Sequence, residues 1–259
     1  MQYLKYPTKV MNITQNYSGT TSHSSASLGS PKSYPIDDNC GNAKRSNFYA
    51  PCDLKIKRIY GVGNAGVNAV WLESKEKVKL ANNKESYVTI LIVHGEDEDL
   101  KKLKVGKVFK QGEYLFKEGR DGFDRGFASG YHFHIEVATC KFEELENNGW
   151  RKNSKGSWVI SRKAIKPEDA FYVDSNFTTI KDSGGLQFKM LPKEKDEYYP
   201  KSNYQGTSIT TALNQLKIDS SFANREKIAN KNGISNYRGT STQNTKLLNL
   251  VQQGVLKKI

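Results

Sequence analysis

Hydrophobic and polar residues alternate over short segments in the first half of the chain, a pattern that predicts β-strands. Residues 55–60 and 131–138 alternate, whereas residues 69–73 and 87–94 form continuous apolar or β-branched runs of strand length. Turns rich in glycine, asparagine and serine separate these segments, and no long helical pattern precedes residue 141. The pattern therefore predicts a mainly antiparallel β domain.

Two glycine-containing segments mark turns between the predicted strands. Gly61 to Gly66 follows the first alternating segment, and Gln111-Gly112 lies between short strand candidates at 107–109 and 113–117. The second arrangement predicts a β-hairpin.

The C-terminal part of the chain has a helical pattern and an imperfect internal repeat. Asn203-Tyr-Gln-Gly-Thr-Ser208 returns as Asn236-Tyr-Arg-Gly-Thr-Ser241, and each copy leads into a leucine-rich helical segment. In the second helix we expect Ser241 as N-cap and Gly254 as the C-terminal stop. The apolar positions that define the helical faces are Ile209, Leu213, Leu216, Leu247, Leu248 and Val251. A third helix is predicted at 221–232.

These patterns divide the chain into three parts. Residues 1–174 are predicted to form the β domain, in which 141–174 are a charged appendix. Residues 175–202, which contain Gly184-Gly185, Pro192 and Pro200, are predicted to form a linker. Residues 203–259 are predicted to form a small helical domain with eight basic and two acidic residues.

Composition narrows the class of protein. The 259 residues include 36% hydrophobic residues and 14 tyrosines, which excludes disorder of the whole chain. The formal charge of +13 indicates a polyanionic partner, such as nucleic acid, an acidic membrane or a teichoic-acid-rich wall. The lysines do not gather into an arginine-rich tract or a basic amphipathic helix, so binding of nucleic acid gains little support.

The cysteines and the hydrophobicity of the chain indicate where the protein is made and whether it enters a membrane. Cys40, Cys52 and Cys140 include no C-x-x-C pair, which argues against a structural zinc finger, and pairing of Cys40 with Cys52 is left open. The N-terminus has no apolar signal-peptide core, and no stretch approaches membrane-spanning length. We expect a protein made in the cytosol without a signal peptide and without membrane insertion.

The segment Gly130-Tyr-His-Phe-His-Ile-Glu-Val137 contains the strongest chemical signal. Alternation along a strand places His132, His134 and Glu136 on one side and the apolar residues on the other. Two imidazoles on one strand face suit metal binding or acid–base catalysis. By itself, an H-x-H pattern is more often a polar strand face with two hydrogen-bonded histidines.

The other candidate residues strengthen the catalytic interpretation. The chain has only four histidines: besides the pair, His94 ends an apolar strand and His23 lies in a Ser/Thr/Gly loop. Asp37 follows Tyr34-Pro-Ile. His23, Asp37 and His134 would supply the three N/O ligands of a catalytic zinc site that leaves a fourth position open to water.

At this point the sequence resembles the lysostaphin-type zinc metallopeptidases, which are peptidoglycan endopeptidases. Their pattern is an early His followed by Asp, a His that closes a strand, and H-x-H within a segment like residues 130–137 of this chain. Leu103-Lys-Val-Gly-Lys-Val-Phe-Lys-Gln-Gly112 is also similar to their K-V-G-x-x-V-x-x-G segment. The resemblance spans roughly residues 10–140.

The resemblance implies zinc ligands at His23, Asp37 and His134, with His132 and His94 as the two catalytic histidines. The first His and the Asp lie fourteen residues apart here, whereas four is usual in the family, and a loop insertion accounts for this at small entropic cost. Asp38 is the rival to Asp37. His132 is expected to act as general base, and His94 to orient the water or stabilise the oxyanion. Tyr17 is a further candidate oxyanion donor, and Glu136 is either a partner of an imidazole or a solvated residue.

The tail resembles the cell-wall-binding tails of phage and prophage endolysins of low-GC Gram-positive hosts; the alternative is a helical cap on the first domain. The resulting hypothesis is a zinc endopeptidase that cuts the peptide part of peptidoglycan and reaches the wall through a holin or lysis. Its expected partners are peptidoglycan and Gram-positive wall polymers. Two alternatives remain: a catalytically inactive wall-binding or phage tail protein with a peptidase fold, and a nucleic-acid-binding β domain.

Overall fold

The computed structural model describes residues 1–18, 23, 33–41, 45–63, 67–126, 128–152, 158–160, 163–192 and 197–259. These residues form two compact units, Met1–Leu191 and Pro192–Ile259. The first unit is mainly antiparallel β-sheet and the second is helical. The predicted fold class is therefore confirmed.

Seventeen strands are described in the first unit. They are β1 (Val10–Gln15), β2 (Ile36–Asp38), β3 (Asn47–Tyr49), β4 (Leu54–Tyr60), β5 (Ala69–Ser74), β6 (Val78–Lys79), β7 (Glu85–Ser86), β8 (Thr89–Val93), β9 (Val108–Phe109), β10 (Tyr114–Lys117), β11 (Phe133–Ala138), β12 (Trp150–Lys152), β13 (Trp158–Ile160), β14 (Ala164–Ile165), β15 (Tyr172–Val173), β16 (Thr179–Asp182) and β17 (Lys189–Met190).

The helices described in this unit are short. They are α1 (Asp97–Leu100), α2 (Pro167–Ala170) and the 3₁₀ turns Phe123–Arg125, Phe142–Glu144 and Glu146–Gly149.

The main sheet has the strand order β16-β1-β2-β11-β8-β5-β4-β9, and β14 also pairs with β11. All these pairings are antiparallel except β1 with β16. Strand β11, which contains the second histidine of the H-x-H pair, lies inside the sheet between β2 and β8. Its neighbours on both sides fix its position and the direction of its side chains.

The central strands are buried on both faces. Alternate residues of β5, β8 and β11, such as Leu72, Ile92 and Phe133, join the main core. Residues in between, such as Trp71 and Val93, join a second cluster on the other face. This explains why residues 69–73 and 87–94 are continuous apolar runs, since strands covered on both faces need no polar side.

The predicted hairpin at Gln111-Gly112 is wrong. Strand β9 pairs with β4 and β10 pairs with β3, so the two flanking strands diverge. Gln111 explains the divergence, because its backbone N–H donates to Asp53 and its side-chain amide donates to the carbonyl oxygens of Tyr3 and Pro51. Long-range contacts therefore decide the pairing at this turn.

The predicted linker at 175–202 differs from the structure over part of its length. Thr178 is buried and donates to the carbonyl of Thr8, strand β16 pairs with β1, and β17 pairs with β15. Leu186 belongs to the main core. Residues up to 191 thus belong to the first unit, because sparse apolar residues in a polar segment find their partners far away in sequence.

The second unit contains helices α3 (Ile209–Gln215), α4 (Phe222–Lys231) and α5 (Ser241–Gln253), with a core of its own. Their N-caps are Ser208, Ser221 and Thr240. Thr240 rather than the predicted Ser241 caps α5, because Thr240 and Gln243 form a reciprocal capping box. Gly254 ends α5 with φ +77°, as predicted.

Two further observations concern cysteines and membranes. Cys40, Cys52 and Cys140 are buried and are not joined by disulfide bonds, so the open pairing of Cys40 with Cys52 is not formed in this structure. Within the described residues, none of the helices has both the length and the apolar character needed to cross a membrane.

Candidate metal centre

Strand pairing places the second histidine of the H-x-H pair beside the predicted carboxylate. On β11, His134 is paired with Asp37 of β2 and with Val93 at the end of β8. Paired residues of neighbouring strands project to the same side of the sheet. The register therefore brings together two side chains that are far apart in the chain.

His23 completes a triangle of potential ligand atoms. Its Nε2 lies 3.3 Å from Asp37 Oδ1 and 3.3 Å from His134 Nδ1, and His134 Nδ1 lies 3.2 Å from the same carboxylate oxygen. The two imidazole rings meet edge to face, with centroids 5.0 Å apart. His23 is 4% exposed, so a loop residue has been brought into the interior of the protein.

These three atoms fit a tetrahedral zinc ion. Ligand atoms about 2.0–2.1 Å from Zn²⁺ at tetrahedral angles lie about 3.3 Å from one another, which matches the observed separations. Asp37 Oδ1 is buried and has no hydrogen-bond donor. A buried carboxylate oxygen without a donor needs a positive partner, and a cation held among the three atoms would supply one.

Glu136 holds the ring of His134 from the opposite side. His134 Nε2 lies 3.0 Å from Glu136 Oε1, and the backbone N–H of Ile160 donates to Glu136 Oε2 at 2.9 Å. The hydroxyl of Ser33 donates to the same carboxylate. Glu136 is 1% exposed, which excludes the solvated alternative. Since a carboxylate accepts hydrogen bonds, His134 donates its Nε2–H to Glu136, and its Nδ1 is the atom that faces Asp37 and His23.

His132 lies beside the triangle with a defined tautomer. Its Nδ1 is 2.9 Å from the carbonyl oxygen of Gly130, so Nδ1 carries the proton and donates. Its Nε2 lies 3.6 Å from Asp37 Oδ1. Burial lowers the pKa of His132, against the raising effect of Asp37, so the imidazole is neutral at pH 7 with a lone pair on Nε2.

His94 reaches the site through an unusual backbone conformation. Regular alternation would direct His94 to the same side as Ile92, into the main core, but its φ of +72° turns it out of the strand path. Its ring centroid lies 4.6 Å from that of His132 and 6.1 Å from that of His134. Its Nδ1 lies 2.9 Å from the carbonyl oxygen of Asp121. Burial and the neighbouring His132 lower the pKa of His94 to about 3.

The charged groups of the triangle shift each other's protonation. Burial by itself disfavours the charged forms of both groups, but Asp37 and Glu136 outweigh this at His134 and raise its pKa to about 10. In the same way, His134 and His23 outweigh the effect of burial on Asp37 and hold its pKa well below its usual range. Asp37 is therefore ionised at neutral pH and suited to bind a cation.

Asp38, the rival carboxylate, lies on the opposite side of β2, where both of its oxygens accept hydrogen bonds. It accepts hydrogen bonds from the hydroxyls of Tyr6 and Thr8 and from the backbone N–H groups of Asn12 and Cys40. All of these lie on the side away from His134. The structure thus assigns the two adjacent aspartates to opposite sides of one strand.

Tyr17 is engaged away from the triangle. Its hydroxyl donates to Glu168 at 2.5 Å, and its ring packs edge to face on Tyr34. The sequence prediction of an oxyanion donor at Tyr17 therefore gains no support from this contact.

Sequence reasoning missed the groups that support the histidines. The carbonyl of Gly119 accepts the backbone N–H of His132, and Gly119 approaches His94 so closely that a Cβ at this position would lie 1.9 Å from the His94 carbonyl oxygen. Asp121 acts on His94 through its backbone carbonyl, and Ser33 acts on Glu136 through one hydroxyl in a serine-rich segment. None of these leaves a spacing pattern that a sequence could reveal; the position of Gly119 just before the loop to β11 is the only hint.

Three curated proteins from phages are similar to this chain in sequence. The chain is 31% identical over 152 residues to Morphogenesis protein 1 of Bacillus phage B103, which covers 59% of this chain and 35% of that protein. It is 41% identical over 106 residues to the Endolysin of Listeria phage A511, covering 39% and 28%. It is 47% identical over 132 residues to the L-alanyl-D-glutamate peptidase of Listeria phage A118, covering 46% and 46%.

The chain resembles phage endolysins and peptidases. The predicted resemblance to phage endolysins and peptidases is thereby confirmed, and the predicted resemblance of the tail to cell-wall-binding domains stays a prediction. The chain spans less than half the length of each of these relatives. No protein-family model matches the chain. Among solved structures, it aligns with lysostaphin at 15% identity and a TM-score of 0.33, covering 61% of this chain and 64% of lysostaphin. It also aligns with a zinc-containing peptidase from Vibrio cholerae at 17% identity and a TM-score of 0.34, covering 53% and 36%.

Proposed function

We propose that the chain is a zinc-dependent endopeptidase that hydrolyses a peptide bond in bacterial peptidoglycan and acts as a phage or prophage endolysin. The observation that supports this most strongly is the triangle of His23, Asp37 and His134, whose ligand atoms lie 3.2–3.3 Å apart. The named relatives, an endolysin and an L-alanyl-D-glutamate peptidase, favour a wall peptide as substrate.

In this proposal His23, Asp37 and His134 hold the ion, and Glu136 fixes the ring of His134. Bound Zn²⁺ would supply a Lewis acid that lowers the pKa of a coordinated water toward neutrality and polarises the scissile carbonyl. Proton transfer and orientation of the water are assigned to side chains that the structure describes.

His132 is the general base of this proposal. Its Nδ1–H is committed to the carbonyl of Gly130, so Nε2 receives the proton of the attacking water, and the resulting imidazolium is stabilised by nearby Asp37. The same Nε2 then returns the proton to the leaving amine.

His94 takes the first of its two predicted roles, the orientation of the water. Its Nδ1–H donates to the carbonyl of Asp121, and its pKa of about 3 keeps the ring neutral, so Nε2 offers only a lone pair. A lone pair accepts a hydrogen bond from water but repels an oxyanion. His94 is therefore suited to orient the water and not to stabilise the oxyanion.

The helical second unit is proposed to bind the wall. Its basic balance between residues 203 and 259 favours attraction to anionic Gram-positive wall polymers. The proposed place of action is therefore the bacterial cell wall, after synthesis in the host cytosol.

Metal analysis combined with wall digestion tests the proposal. The full chain is expected to bind about one zinc ion, to clear a suspension of purified walls and to release new amino groups. His132→Ala should abolish release while zinc stays bound, and His134→Ala should lose both. Wall binding without any release of amino groups would support the non-catalytic alternative, and loss of zinc from His132→Ala would exchange the roles of ligand and base.

A further inference from the structure

A partly exposed aromatic ring is held in a fixed position on the second unit. Phe222, the first residue of α4, is 49% exposed. One side of its ring packs on Tyr237, with centroids 5.6 Å apart and an interplanar angle of 36°. The guanidinium carbon of Arg225 lies 5.9 Å from the Phe222 centroid and 5.8 Å from that of Tyr237. An exposed phenyl ring fixed in this way offers a rigid flat surface at low entropic cost.

Among the described residues, the half-buried Arg225 donates hydrogen bonds only to neutral acceptors. Its Nε donates to the carbonyl of Ser220 at 3.0 Å, and its Nη1 donates to the Tyr237 hydroxyl at 2.7 Å and to Asn244 Oδ1 at 3.0 Å. The Tyr237 hydroxyl also donates to Asn244. These contacts use the N–H groups of Nε and Nη1, so the two N–H groups of Nη2 remain without a described acceptor.

No carboxylate within the described part of the second unit pairs with this guanidinium. Asp219, close by in the chain, accepts instead from the backbone N–H and the hydroxyl of Ser221, both at 2.9 Å. Glu197 pairs with Lys258. The N–H groups of Nη2 can therefore bind an anionic ligand, and the planar guanidinium fork matches phosphate and carboxylate.

The second copy of the internal repeat makes room for the ring. Gly239 has φ +71°, and a Cβ there would lie 3.2 Å from the ring of Phe222. In the first copy the equivalent Gly206 is covered by the hydroxyl of Tyr204, which lies so close that a Cβ would not fit. The two copies therefore pack differently, and Phe222 and Arg225 pack against Tyr237 of the second copy.

We propose that Phe222 and Arg225 form a binding site for an acidic sugar unit, one that bears a phosphate or carboxylate group, within a wall polymer. The apolar face of the sugar stacks on Phe222, and the Nη2 groups of Arg225 bind the anion. This site rests on the proposed function, because it names the ligand of the wall-binding unit. The basic balance of the tail adds long-range attraction to such a polymer.

The test uses the full chain with His132→Ala, so that walls stay intact, and measures sedimentation with purified walls. Phe222→Ala and Arg225→Gln are each expected to lower the affinity about 10- to 100-fold, the loss of one charge-assisted contact or one stacking surface. Arg225→Lys should recover only part of the loss. Matched controls are Tyr198→Ala, an aromatic residue 46% exposed in the same unit, and Arg238→Gln, which removes the same charge from an exposed position.

Circular dichroism is used to check that each variant keeps its helices. If Arg225→Gln loses them, the wall affinity of Phe222→Ala alone tests the proposal, because the side chain of Phe222 is half exposed and its removal leaves the core intact. Unchanged affinity in Phe222→Ala, or equal losses in the two controls, would overturn the proposal.

Two treatments of the wall separate the sources of the anion. Removal of phosphate polymers with acid should abolish the difference between the parent and Arg225→Gln if phosphate is bound, and amidation of carboxyl groups should do so if a uronic acid is bound. A difference that survives both treatments would refute an anionic ligand. Hydrolysis of soluble wall peptides by Phe222→Ala and Arg225→Gln with His132 intact is expected to equal that of the parent. If the parent hydrolyses soluble peptides but the variants bind walls as tightly as the parent, this binding site is refuted and the peptidase is not. If the variants lose wall binding but the parent hydrolyses no peptide, the peptidase is refuted and this binding site is not.

Discussion

His134 Nε2 and Glu136 Oε1 lie 3.0 Å apart on the same side of β11, so one strand supplies both a candidate ligand and the carboxylate that orients it. The backbone N–H of Ile160 and the hydroxyl of Ser33 hold the carboxylate in turn. A histidine fixed by a buried carboxylate keeps its other nitrogen free and basic, which suits a metal ligand.

Glu136→Gln is expected to weaken zinc binding about 10- to 100-fold. Glutamine has the size of glutamate, but its NH₂ group must face either the N–H of Ile160 or the Nε2–H of His134, and both are donors. A competition titration with a zinc chelator measures the affinity. Glu85→Gln, an exposed glutamate on β7, is the control, and equal affinities in the two variants would show that Glu136 does not support His134.

Asp37→Asn and Asp38→Asn are expected to separate metal binding from stability. Asp37→Asn should lose zinc and keep its fold, because the carboxylate oxygen at the triangle has no hydrogen-bond donor. Asp38→Asn should lose about 2–4 kcal/mol of stability, because an amide cannot accept from all four donors that surround this buried group. Zinc content and chemical denaturation measure the two effects. A folded Asp37→Asn protein with a full zinc complement would remove Asp37 from the ligand set.

Gly119→Ala is expected to destabilise the protein by about 1–3 kcal/mol and to reduce hydrolysis, because the new Cβ would meet the His94 carbonyl oxygen at 1.9 Å. The backbone must then move, and His94 moves with it. Gly130→Ala is the matched control, since a Cβ there meets nothing within 4 Å and its φ is not positive. Thermal unfolding and wall digestion compare the two variants. If Gly119→Ala proved as stable and as active as Gly130→Ala, the result would contradict the close approach.

Asp53→Asn is expected to lower stability by about 1 kcal/mol at neutral pH, and this difference is expected to become small as pH falls towards 2. Hydrogen bonds from Lys110, Gln111 and Gln2 lower the pKa of Asp53 to about 2. A carboxylate with a depressed pKa stabilises the fold above its unfolded pKa of about 3.9, and this contribution disappears as pH falls through its folded value. Urea denaturation between pH 7 and pH 2 follows the difference between the two proteins. A difference that is constant over this range would exclude the ionised contact as its origin.

The sequence determined the local pattern of this protein: the alternation on β11 that puts His132, His134 and Glu136 on one side, the doubly covered β5 and β8, and the capped helices of the tail. Such features depend on periodicity and on residues a few positions apart, which a sequence displays directly. It also supplied the candidate metal ligands and the candidate catalytic histidines, because four histidines and one motif left few choices.

The tertiary structure decided what depends on distant partners. The strand register directs Asp37, and not Asp38, to the same side as His134. The positive φ of His94 brings its ring beside that of His132, and Glu136 is buried against His134. The same long-range contacts separated β9 from β10 and added residues 178–191 to the first unit. Each of these outcomes depends on the free energy of packing between segments far apart in the chain, and local sequence patterns contain no information on that energy.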